Sequence, residues 1–124
     1  MDTLFIEKTD ATPQIIFNPE EGIYKIAGRS LPEDVIEFYD PVLVWLERVD
    51  PATLGNKEFQ FRLEYFNTAS SKMILDILLK LNDLYQEGIQ IQVKWFYFDM
   101  DEDLMEAGEE FAELLELPIE LVVY

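Results

Sequence analysis

A chain of 124 residues with 49% hydrophobic and 14% aromatic content can bury one core but is short for two, so a single domain over residues 1–124 is expected. It contains neither Cys nor His, which excludes disulfides, thiolate zinc sites, cysteine nucleophiles, Ser-His-Asp triads and His-ligated metals while leaving carboxylates available. The formal net charge of −17, with only nine Lys and Arg, opposes binding to nucleic acid or anionic membranes and suits steered encounters with basic protein surfaces.

Met1-Asp2-Thr3-Leu4 lacks the basic segment and apolar stretch of a signal peptide, and no apolar run approaches a bilayer span. A cytoplasmic location is the resulting expectation. Leu4 to Lys8 and Gln14 to Phe17 are short apolar and β-branched runs that predict strands, and Asn18-Pro19-Glu20-Glu21-Gly22 predicts a hairpin turn into a return strand over Ile23 to Ala27. Ser30-Leu31-Pro32-Glu33 has the form of a capping box, with Pro32 in the tolerant first turn, and predicts the start of a helix. Val35, Phe38, Val42, Trp45 and Val49, flanked by Tyr39, Leu43 and Leu46, give that helix a wide apolar stripe ending at Asp50-Pro51. Aromatics on such a stripe read as core packing in preference to a cofactor pocket. Pro41 removes a helical N–H and clashes one turn back, which predicts a kink near Phe38 or two shorter helical pieces.

Ala52 to Lys57 reads as a loop. Phe59, Phe61, Leu63 and Tyr65 then alternate with Gln60, Arg62 and Glu64, the period of a strand with one buried and one wetter face. Asn67, Thr68, Ser70 and Ser71 follow, where the first N–H groups of a helix need partners. The same helix start favours negative charge, so a phosphate on Thr68, Ser70 or Ser71 would be stabilised there, with Lys72 as countercharge. Capping alone also explains these residues. Ile74, Ile77, Leu78, Leu81 and Leu84 form the apolar face of this second helix, Lys72, Asp76, Lys80 and Asp83 its polar face, and Gly88 its stop.

Ile89, Ile91, Val93, Trp95 and Tyr97 alternate with Gln90, Gln92 and Lys94 in a further strand. Strands buried on both faces would be continuously apolar, so this alternation predicts helices chiefly on one face of the sheet. Residues 99–116 hold nine acidic residues and no Lys or Arg, on a helical stripe of Leu104, Gly108, Phe111 and Leu115. Asp99, Asp101, Asp103 and Glu110 mimic the spacing of a calcium loop, but Leu104 stands where that loop requires Gly. Leu117-Pro118 ends this helix, and Ile119 to Tyr124 predict a last strand.

Glu64-Tyr65-Phe66-Asn67-Thr68-Ala69-Ser70-Ser71-Lys72, together with the runs from Glu37 to Leu46 and from Met105 to Ala112, resembles the SiaC family of small bacterial regulatory phosphoproteins. That family is similar to anti-sigma-factor antagonists of the STAS class. The resemblance covers nearly the whole chain, and the Asn67-Thr68 turn is its most specific part. It implies an α/β fold: a STAS-like single domain with a mixed open sheet of about five or six strands and about three main helices chiefly on one face. In the family the threonine matching Thr68 is the phosphoacceptor, written by a partner kinase and erased by a PPM-type phosphatase. The unmodified form binds an effector such as a diguanylate cyclase. The resemblance thus implies a non-enzymatic phospho-switch without cofactor or metal, and proximity to Thr68 adds Asn67, Ala69, Ser70, Ser71 and Lys72 to the recognition surface. Two other readings of the residues stay open: a carboxylate-dependent hydrolase using Glu64 with Asp76 or the 99–116 segment, and a constitutive acidic adaptor.

Overall fold

The computed structural model describes residues 2–124. Its elements are β1 (Leu4–Ile6), β2 (Gln14–Asn18), β3 (Ile23–Ser30), α1 (Val35–Arg48), β4 (Lys57–Phe66), α2 (Thr68–Gln86), β5 (Ile91–Tyr97), α3 (Glu102–Leu114) and β6 (Ile119–Val123). The six strands form one mixed α/β sheet and lie side by side in chain order. β1 to β3 pair antiparallel, and β3 to β6 pair parallel.

Each parallel step encloses one helix. Such crossovers are right-handed almost without exception, and three in succession that advance in the same direction place all their helices on the same face. The alternation seen in the sequence follows from that. Phe17, Ile26, Phe59, Phe61, Leu63, Val93 and Trp95 point into a core shared with Tyr39, Val42 and Leu46 of α1, Ile74, Ile77 and Leu81 of α2, and Leu104 and Phe111 of α3. Lys25, Gln60, Arg62 and Lys94 occupy the opposite face and remain partly wet.

Trp95 anchors the third crossover. Its Nε1–H donates to the Leu104 carbonyl at 2.9 Å, and its ring packs against Phe61, Phe66 and Phe111. A Cβ at position 108 would stand 2.4 Å from Trp95 Cδ1, so Gly108 is what lets α3 lie directly on the indole. Asn82, buried in α2, accepts from the backbone N–H groups of Glu116 and Leu117 and fixes the link from α3 to β6.

Three local expectations need correction. Ser30 does not cap α1: it is the last residue of β3, fully buried and paired with Phe66 of β4, while the Asp34 side chain accepts from the Glu37 N–H as the cap. The parallel ladder wins over the local capping pattern, and Asp34 is an equally competent cap nearer the apolar stripe. Secondly, α1 passes through Pro41 as one helix and is not divided. Pro41 and Glu37 are both exposed, so the carbonyl deprived of its N–H partner faces water. Thirdly, Pro51–Leu54 forms a short 3-10 turn where a plain loop was expected, with Asp50 accepting from the Ala52 N–H and Leu54 buried beneath it.

Candidate functional site

The turn between β4 and α2 lies at the carboxyl end of a central parallel strand. Asn67 is the cap: its Oδ1 accepts from the Ser70 N–H at 2.9 Å, and its carbonyl accepts the first helical bond, from the Ser71 N–H, at 3.0 Å. Its own N–H donates to the Ser30 carbonyl at 3.2 Å, which ties the cap to the end of β3. Thr68 and Ala69 are therefore the first two helical residues, and their N–H groups have no intrahelical acceptor. No acidic residue occupies the first turn of α2.

Beneath this turn runs a buried chain of hydroxyls. Ser70 Oγ–H donates to the Ser30 carbonyl at 3.0 Å, and Ser30 Oγ–H donates to Ser70 Oγ at 2.8 Å. With its one proton so engaged, Ser30 Oγ accepts from Tyr39 Oη at 2.6 Å. Burial pushes the Tyr39 phenol up to about 12, against a smaller lowering by the Ser30 hydroxyl, so the phenol stays protonated and can donate. Three elements, β3, α1 and α2, are thereby pinned at one point below Thr68.

The six residues expected around the turn do not share one environment. Thr68, Ala69 and Lys72 are exposed, Asn67 and Ser71 are half-buried, and Ser70 is fully buried. Lys72 is four residues after Thr68 and so shares its side of the helix. The Ser70 hydroxyl faces the interior, away from any partner surface. The fold adds Tyr65, 47% exposed, and Arg29, which pairs with Tyr65 across β3 and β4 and sets its guanidinium 5.4 Å from the Tyr65 ring centre. A groove of about 300 Å³ beside them is lined by Glu64, Tyr65, Phe66, Asp101, Asp103, Leu104 and Ala107. Tyr65 had the right strand parity for burial, but the extra residue Glu64 in β4 breaks the alternation, so that Phe66 turns to Trp95 in the core and Tyr65 lies with the exposed Arg29.

The chain matches a family described as SiaC family regulatory phosphoprotein over residues 6–124. It belongs to the SiaC family. An uncharacterized protein of Pseudomonas aeruginosa (strain UCBPP-PA14) is 34% identical over 118 residues, covering 95% of this chain and 94% of that protein. The structure of SiaC of Pseudomonas aeruginosa is similar with a TM-score of 0.85 and 31% identity, over 100% of both chains. A chain in the crystal structure of the diguanylate cyclase SiaD in complex with its activator SiaC, from the same organism, is similar with a TM-score of 0.86 and 32% identity, covering 98% of this chain and 99% of that one.

SiaC family membership makes this a bacterial regulatory protein and not an enzyme. The structure does not bring together the carboxylate pair considered for hydrolysis. Glu64 is ion-paired with Lys8 at 3.3 Å on the bare face of the sheet, whereas Asp76 belongs to α2 on the covered face, so the sheet separates them. In the acidic segment, Asp101 Oδ1 accepts from the Leu104 N–H as the cap of α3, and no three carboxylates among the described residues converge as metal ligands. No helix among the described residues is long and apolar enough to cross a membrane.

Proposed function

We propose that this SiaC family member activates a diguanylate cyclase in its unmodified form and is released from it by phosphorylation of Thr68. A partner kinase writes the phosphate and a PPM-type phosphatase removes it. The observation that carries the acceptor assignment is the contrast within one turn: the Thr68 hydroxyl is exposed at the first helical position, while that of Ser70 is buried and already hydrogen-bonded. The unengaged N–H groups of Thr68 and Ala69 and the positive end of the helix dipole favour a phosphate there. The similarity to the SiaC chain of the crystal complex with SiaD supports a cyclase as effector.

The switch works by charge and hydration. A phosphoryl group adds roughly −1.5 to −2 charges and three strong acceptors, which a desolvated contact through Thr68, Ala69 and Tyr65 cannot accommodate. Asn67, Ser71 and Lys72 complete the surface, and Ser70 supports it from within. The test maps phosphate by mass spectrometry after incubation with the cognate kinase, then titrates both forms against the cyclase while following its activity. Phosphate is expected on Thr68, with cyclase affinity reduced about tenfold or more. Thr68→Ala is expected to accept no phosphate, to keep activating, and to fold normally because Asn67 is the cap. Phosphate on Ser71 would overturn the residue assignment, and equal affinity of both forms would overturn the switch.

A further inference from the structure

The sheet face that the helices leave bare holds a second cavity, of about 400 Å³, lined among others by Lys8, Gly28, Arg62, Glu64, Phe98 and Tyr124. Arg62 is held in place on two sides. Its Nε–H donates to Gln60 Oε1 at 2.8 Å, Gln60 donates to Glu58 Oε2 at 2.7 Å, and the guanidinium lies 3.8 Å from the centre of the Phe96 ring. Both terminal Nη groups remain without a hydrogen-bond partner among the described residues. A guanidinium fixed in this way presents a planar fork ready for two acceptors in one plane.

The walls and floor are equally defined. Phe98 and Tyr124 stack with ring centres 4.4 Å apart and planes 25° from parallel, and both residues line the cavity while more than two-fifths exposed. Gly28, at φ +120°, forms the floor opposite a bulge in β4 whose extra residue is Glu64: a Cβ at position 28 would come within 3.1 Å of Lys8 Cε. Glu64, the extra residue of that bulge, lines the same cavity as Arg62 and brings a carboxylate to the rim, ion-paired with Lys8 at 3.3 Å. Both charges reach the Tyr124 phenol, whose pKa burial pushes up to about 12, with Arg62 opposing and Glu64 adding to the rise.

A donor fork, a carboxylate and a stacking plane in one cavity are what a guanine base requires: two donors for O6 and N7, an acceptor for the N1 and N2 hydrogens, and an aromatic face for the ring. Charge decides between a phosphate and a base at the fork. A molecule of net charge −17 repels polyanions, and Glu64 adds to that locally, whereas the O6 and N7 edge offers the fork two acceptors that carry no charge. We propose that this cavity binds the guanine base of a nucleoside or nucleotide, with Arg62 on O6 and N7, Glu64 on N1 and N2, and the base stacked on the Phe98–Tyr124 pair. Thr68 does not line this cavity. Guanylate chemistry is also that of the cyclase named in the similar complex, so a regulator of such an enzyme would meet this ligand class.

The test titrates the full chain with guanosine, guanosine monophosphate, adenosine and inorganic phosphate, following backbone and aromatic signals by NMR. Guanosine is expected to shift Arg62, Glu64, Phe98 and Tyr124 saturably, and adenosine and phosphate to bind about tenfold more weakly or less. Arg62→Lys keeps the charge but removes the fork and is expected to lower guanosine affinity about tenfold. Should that variant lose its fold, Glu64→Gln, at a partly exposed side chain, answers the same question by reducing the preference for guanosine over adenosine. Thr68→Ala should leave the titration unchanged, which keeps this result independent of the phospho-switch. Absence of saturable shifts with guanosine, equal binding of adenosine, or phosphate alone matching guanosine monophosphate would overturn the proposal.

Discussion

Tyr39 acts as a tether through a single phenol. Its folded pKa of about 12 lies above the usual value near 10, so the folded protein holds this proton more tightly than the unfolded chain does. The stabilisation is complete below pH ~10 and is lost as pH rises through the folded value, a decline on the order of 2 kcal/mol. Denaturant melts between pH 8 and 12 should show that decline in the parent and a shallower one in Tyr39→Phe, which also loses about 1 kcal/mol at neutral pH because Ser30 Oγ loses a donor. Identical alkaline slopes would assign the decline to Tyr24 and Tyr124, whose pKa values burial also raises. This hydroxyl chain was not legible in the sequence. Ser30 and Ser70 are 40 residues apart, and Ser30 three positions before Glu33 satisfied a capping pattern that only the β3–β4 ladder overrides. The helix start at Thr68 was legible, because polar turn residues ahead of an amphipathic helix identify it from local chemistry alone.

Elements with a clean period were read correctly from their residues. β4, α2, β5 and α3 all lie where alternation or a helical stripe placed them, and the one-sided cover of the sheet follows from the same alternation. What escaped was anything set by a neighbour, such as the extension of β3 to Ser30 or the survival of α1 through Pro41. Gly108 belongs to this class too, since its place on the stripe showed that it faced the core but not that an indole fills the room of its side chain. Gly108→Ala gains up to about 1 kcal/mol in helix propensity, yet the clash with Trp95 should dominate and destabilise the protein by about 1–3 kcal/mol. Thermal melts followed at the Trp signals provide the measurement, and a raised midpoint would mean that α3 moves off the indole without cost.

Across the whole molecule, negative charge is unrelieved on α3 and balanced on the bare side of the sheet. α3 presents Glu106, Glu109 and Glu113 to solvent and carries no Lys or Arg, while Lys8 and Lys94 pair with Glu64 and Glu58 on the bare side. If the acidic helix steers a basic partner, replacing those three glutamates with Gln should slow association severalfold and flatten its salt dependence while dissociation stays nearly unchanged. Stopped-flow mixing with the cyclase measures both rates, and unchanged association across salt concentrations would leave α3 a role in solubility only. The strand order has its own consequence for a chain leaving the ribosome. Because position in the sheet repeats position in the sequence, each emerging strand finds its neighbour already in place, and none has to be inserted between two that have paired. Loop closure from β3 onward never spans more than one helix and its links, which keeps each step entropically modest. A nascent chain halted after β5 would therefore present a growing edge and not a gap.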